Sequence, residues 1–315
     1  MHANSIDSVQ LSQLISNPSP EAIISEAGKI FCYHYPEKNF DEIYDSFIII
    51  KKLFEGRFPG YKACNTKYHN FSHTMDILLA TARLMDGYNI ENDLLPIQLA
   101  SNLLNAALSH DTGYIQEEKD NKGTGAKHTA THVKRSMQFI ERHHKDFKIA
   151  PDQILSINNL ILCTDLQFNL NSIEFSSNEE KLSGHILGSS DILSQMSDRL
   201  YLEKLLLLFY EFKEAGIDGF NIEFDIINNT VGFYEFMKKR FSKTFLGVYK
   251  YAQSHFRKRF MIDRNLYIEA IEHNIEHLKI IINDGSTAFR DKLRRKSLLA
   301  NQFDINPRRK GLYID

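Results

Sequence analysis

The stretch LLNAALSHDTGYIQ, residues 103–116, decides how the chain reads. Leu99, Leu103, Leu104, Ala107 and Leu108 recur at three- and four-residue spacing, which marks one face of a helix. That helix runs into the dipeptide His110–Asp111, a neutral nitrogen and an anionic oxygen that can serve one metal ion. The same period recurs at Ile43, Phe47, Ile50 and Phe54, and again at Met75, Leu78, Leu79, Ala82 and Met85. Further helical patterns run from about Thr129 to His144, Pro151 to Leu162, Leu200 to Phe212, Val231 to Phe241 and Arg264 to Ile282. Strand-type alternation is scarce, so the expected fold class is all-α. The breaks agree: Asn92 or Asp93 is placed to cap the helix containing Pro96, Gly123 and Gly125 punctuate the loop after the His-Asp helix, and Pro151 opens another helix.

A length of 315 residues with 43% hydrophobic content is enough for one large helical core. The expected organisation is a single domain over 21–300, with an N-terminal extension at 1–20 and a C-terminal tail at 301–315. The 38 basic and 40 acidic residues leave a formal charge of -2, which gives no overall electrostatic case for nucleic acid or a membrane surface. Cys32, Cys64 and Cys163 show no CxxC spacing, which argues against a disulfide framework or a zinc ribbon and favours a reducing compartment. No run approaches the roughly 18 apolar residues that cross a bilayer. The chain is therefore expected to be soluble and cytoplasmic. The clusters HFRKRF (255–260) and KLRRK (292–296) read as solvated helix faces, and His34, His143, His144 and His185 as structural or solvated histidines.

Partners for His110 and Asp111 lie on either side. Upstream, KYHNFSH holds His69 and His73, four apart and on one face if both are helical. Downstream, GSSDILSQM holds Asp191 among small residues. Imidazole and carboxylate together suit Zn, Fe, Mn or Mg with open water positions, whereas a closed structural zinc site normally recruits cysteine. Hydrolysis is the natural use of such a set.

The strings YHNFSH (68–73), AALSHDTG (106–113), ILCTDL (161–166), SSDILS (189–194) and VGFYEF (231–236) resemble, in order, those of class I cyclic-nucleotide phosphodiesterases. This resemblance covers about residues 60–240 and implies membership of the wider HD phosphohydrolase superfamily. It implies that His73, His110, Asp111 and Asp191 hold a first divalent metal, that Asp111 bridges to a second, and that His69 is the general acid. Such a site would hydrolyse a phosphodiester or nucleotide-type phosphoester, and the expected partner is a small molecule of that kind.

Several positions depart from the family pattern. A histidine usually stands three residues beyond the His-Asp pair, where this chain has Tyr114, either a packed aromatic or a hydrogen-bonding group. Thr230 stands where the family carries the glutamine that reads a purine edge, and threonine lacks the paired amide donor and acceptor. Phe233 matches the aromatic that clamps the base. Asp165 resembles an acid that orients the metal site from behind. His128, ahead of His132, is an additional candidate for the site. Two other readings stand beside hydrolysis: an HD-type di-iron oxygenase, which would recruit extra histidines, and a non-catalytic nucleotide-binding or signalling module.

Overall fold

A long central helix, α3 (Phe71–Glu91), organises the molecule in this computed structural model. Fifteen of its residues are buried, from His73 through Leu78 and Leu84 to Asn89, so it is enclosed on nearly every side rather than along one stripe. Around it pack α1 (Pro20–His34), α4 (Ile97–Ser109), α7 (Asn178–Ser197) and α10 (Tyr251–Phe260). The structure describes residues 9–14, 19–38, 40–285, 287 and 289–293. Among these it contains no strand, only an isolated bridge between Tyr61 and Glu117, and the fold is all-α. No described helix is long and apolar enough to cross a membrane.

The remaining helices are α2 (Asp41–Phe54), α5 (His132–His143), α6 (Ile154–Leu162), α8 (Tyr201–Ala215), α9 (Glu223–Lys239), α11 (Leu266–Asn283) and the short α12 (Phe289–Lys292). One apolar core runs through them from Ile23 to Leu293. Leu103, Leu104 and Ala107 of α4 are fully buried, and truncating such a leucine to alanine costs about 2–5 kcal/mol. The expected helices are present with shifted ends. The α4 start differs in mechanism: Pro96 itself is the N-cap residue with no side-chain cap, while Asn92 ends α3. The helix carrying Asp191 was visible in the sequence only as a small-residue setting, because glycine and serine lower helix propensity and blur its apolar stripe.

One sequence reading needs correction here. The cluster HFRKRF is not a solvated face, because His255 is wholly buried and Arg259 reaches inward. Both meet Asp86 of α3: His255 Nδ1 lies 2.7 Å from Oδ2, Arg259 Nε donates to Oδ2 at 3.0 Å, and His34 Nε2 of α1 lies 2.7 Å from Oδ1. Burial alone would raise the pKa of Asp86, but His255, His34 and Arg259 outweigh it and hold the carboxyl far below its ordinary range. One carboxylate thus ties α1, α3 and α10 together. The tail at 301–315 and most of KLRRK lie outside the described residues.

Candidate metal centre

The site sits where the start of α3, the end of α4 and the middle of α7 converge. Asn70 caps α3, its side chain accepting from the His73 backbone N–H at 3.2 Å, so the helix begins at Phe71. His73 therefore stands in the first turn, whereas His69 lies outside the helix. The two histidines do not share a helical face as their spacing predicted. Instead the chain turn at 66–69, held by the Thr66 hydroxyl donating to the His69 carbonyl at 2.5 Å, swings His69 over the same cavity.

At the end of α4, His110 is the C-cap residue and Asp111 leaves the helix. The Nδ1 of His110 lies 2.8 Å from the Ala107 carbonyl, which can only accept. In its neutral form the ring therefore carries its lone pair on Nε2, facing the site. Gly113 follows in close contact with α5, where a Cβ would stand 2.0 Å from the His132 carbonyl oxygen. Only glycine permits that approach, and it brings His132 to the cavity. His132 has the same arrangement as His110, with Nδ1 2.7 Å from the Thr129 carbonyl.

Three buried atoms here lack any hydrogen-bond partner: His73 Nε2, His110 Nε2 and Asp111 Oδ2. They face one another. Asp111 Oδ2 is 3.3 Å from His110 Nε2 and 3.4 Å from His73 Nε2, and His73 Nε2 is 3.7 Å from Asp191 Oδ1. Ligands about 2.1 Å from a shared cation lie about 3.0 Å apart at right angles and about 3.4 Å apart in a tetrahedron, so these separations suit a metal. His73, His110 and Asp191 form one group able to hold an ion, and His69, His73 and Asp111 another. Orphaned buried polar atoms are costly unless something satisfies them, and a divalent cation fits this donor set. The other Asp111 oxygen, Oδ1, faces His132 Nε2 at 3.6 Å.

The electrostatics follow from that crowding. Burial disfavours charge on His110, but the Asp111 carboxylate beside it prevails and raises its pKa to about 9. Burial likewise opposes the charge of Asp111, yet His110 and His73 hold its pKa well below the usual range. Desolvation dominates at His73 and His132 and lowers both.

Glu211 of α8 is the functional candidate that the sequence reading missed. Its Oε2 lies 2.6 Å from His69 Nδ1, and its Oε1 accepts the Tyr68 backbone N–H at 2.6 Å. Burial opposes protonation of His69, but the Glu211 charge and hydrogen bond prevail and raise the histidine pKa. The one sequence signal is an acid four residues after Leu207, on the buried face of α8.

The other expected residues separate into two groups. Tyr114, 2% exposed, is a packed aromatic lying flat between His69 (ring centroids 4.3 Å apart) and His132 (4.5 Å). Asp165, Thr230 and Phe233 line the cavity. Asp165 Oδ1 accepts from the Gln167 and Phe168 backbone N–H groups and so shapes the rim. His128 is not part of the cavity lining; its Nε2 is 3.2 Å from Asp120. The order expected for the two extra histidines is thus reversed, because the chain turns at 129–131 between them.

The cavity holds about 340 Å³. His69, His73, Asp111 and Asp191 form one end, and Leu205, Leu208, Phe212, Phe220, Ile226 and Phe233 form the other. Gln195 lies between, donating through Nε2 to Asp191 Oδ1 at 2.5 Å and accepting from the Tyr68 hydroxyl at 3.1 Å.

Comparison with curated proteins and with solved structures returns no significant match. A family model described as Npun_R2479-like matches residues 117–274, half of the chain. The matched stretch contains His132, Asp191, Glu211, Thr230 and Phe233, while His69, His73, His110 and Asp111 lie before it. On that match the chain belongs to the Npun_R2479-like family.

Proposed function

We propose that the chain is a metal-dependent phosphohydrolase acting on a phosphodiester or a related phosphoester of a small molecule. The observation that carries this reading is the set of three orphaned buried atoms, His73 Nε2, His110 Nε2 and Asp111 Oδ2, with Asp191 beside them at the end of a cavity. His73, His110, Asp111 and Asp191 would hold a first divalent cation, Zn, Mg, Mn or Fe. Asp111 would share a second through Oδ1, with His132 as the adjacent nitrogen. Bound there, such ions supply a nucleophilic hydroxide near neutral pH and offset charge on the phosphoryl oxygens.

The chain's own residues supply the rest. An alkoxide leaving group needs a proton, and His69 presents its Nε2 on the cavity side while Glu211 takes the Nδ1 proton as its hydrogen bond. Glu211 favours the protonated ring, the form that a general acid requires. Tyr114 fixes the plane of the His69 ring by stacking against it at an interplanar angle of 11°.

The test is a panel of cyclic nucleotides, linear dinucleotides, nucleoside monophosphates and a generic aryl phosphodiester, each with Mn, Mg, Zn or Fe, alongside metal analysis. His69→Asn should keep its metal and lose turnover. Absence of any phosphoester hydrolysis by the metal-loaded protein would sink the proposal. A second reading, a di-iron oxygenase, is favoured by one observation, the additional His132 nitrogen facing Asp111. Oxygen consumption by iron-loaded protein distinguishes it.

A further inference from the structure

The buried polar side chains along the inner wall of the cavity are engaged with one another or with the backbone. Both ends of the Gln195 amide have partners, Asp191 and Tyr68, and the Tyr68 hydroxyl is the donor to that amide. The Thr230 hydroxyl donates to the Ile226 carbonyl at 2.6 Å and also engages the Tyr201 hydroxyl. The Thr164 hydroxyl donates to the Ile161 carbonyl at 2.8 Å. What is left deep in the cavity is hydrocarbon from α8, α9 and the segment between them. Free polar side chains occur at the rim, where Lys134, Gln167 and Asn229 are exposed.

We infer that the organic group of the substrate is apolar, an aliphatic or aromatic alcohol esterified to phosphate, rather than a nucleoside. This inference rests on the phosphoester reading of the metal end. A nucleobase pressed into this wall would bury several donors and acceptors without partners, and each unmet group costs roughly a factor of ten in affinity. An alkyl or aryl group has no such demand and gains about two- to fourfold for each buried methylene. Phe233, half-buried on α9, offers such a group an aromatic face.

The experiment is titration calorimetry on Mn-loaded full-length protein with two matched ligand series. The first contains methyl-, propyl- and hexylphosphonate and the phosphonate isostere of adenosine monophosphate; the second contains propanol, hexanol and adenosine. Hexylphosphonate should bind at least about tenfold more tightly than the nucleoside phosphonate, with affinity rising by about two- to fourfold per methylene. Leu208→Gln and, independently, Phe220→Gln should abolish the chain-length gain while leaving methylphosphonate affinity in place. Equal or tighter binding of the nucleoside phosphonate, or no dependence on chain length, overturns the inference. If the alcohols show the chain-length gain but no phosphonate binds better than its alcohol, the apolar selection stands and the phosphoester reading fails.

Discussion

His69 and Glu211, 142 residues apart in sequence, meet at 2.6 Å through Nδ1 and Oε2. The carboxylate fixes which way the imidazole faces and which nitrogen is left for the cavity, a role usually worth 10–100-fold when such a partner is removed.

Glu211→Gln should therefore lower kcat by about 10–100-fold with bound metal unchanged. In a His69→Asn background the same substitution should add little, because the two act as one unit. Kinetics on the double-mutant cycle check this, and full additivity would separate the two residues.

Metal removal should lower thermal stability. The four proposed ligands bring two carboxylates and two imidazoles into one place, and a cation bound only by the folded chain stabilises it by about 2.7 kcal/mol when present at about 100 times its Kd. Calorimetry before and after chelation should show a drop in Tm that excess metal restores. Asp111→Ala should show neither the drop nor the restoration.

Asp86→Ala should destabilise the fold by about 3–5 kcal/mol, since it strands His34, His255 and Arg259 without their common partner. Urea unfolding measures this. Metal content should be unchanged, because His73, the proposed ligand on α3, lies at its other end, and a loss of less than about 1 kcal/mol would show that the cluster contributes little.

His185, buried on α7, supplies a pH dependence. Burial first, then the Lys181 and Arg240 charges, push its pKa down to about 4 from an unfolded value of 6.5. Below pH 6.5 the unfolded chain takes up a proton that the folded chain refuses. Stability is thus fully present above about pH 6.5 and falls as pH drops toward about 4, by on the order of 3 kcal/mol in total. Unfolding of the parent and of His185→Gln at pH 7, 5.5 and 4.5 should give curves that converge at low pH; parallel curves would refute the assignment.

The helical class was legible because burial repeats with the helical period, and Leu99 through Leu108 still show it. So was the meeting of His73, His110, Asp111 and Asp191, because their residue types and order carry the information. Position relative to helix ends was less legible. His69 and His73 look like a same-face pair, yet the Asn70 cap lies between them and puts one on each side of the helix start. Glu211 was hidden for a different reason: α8 also buries Glu203, so an acid at a core position does not by itself name its partner. His132 reaches the site through the Gly113 contact, and Asp86 gathers residues from three helices; both are tertiary facts with no local signature.

The cavity divides its labour between parts of the chain. The residues proposed to hold metal come from α3, the end of α4 and α7, whereas its apolar wall comes from α8, α9 and the segment between them. Exchanges at Leu208, Phe220 or Phe233 can reshape what fits without moving His73, His110, Asp111 or Asp191, and Glu211 of α8 ties that half to His69. Diverging descendants of this chain can thus change what the cavity accepts by rewriting two helices while keeping the His-Asp cluster intact.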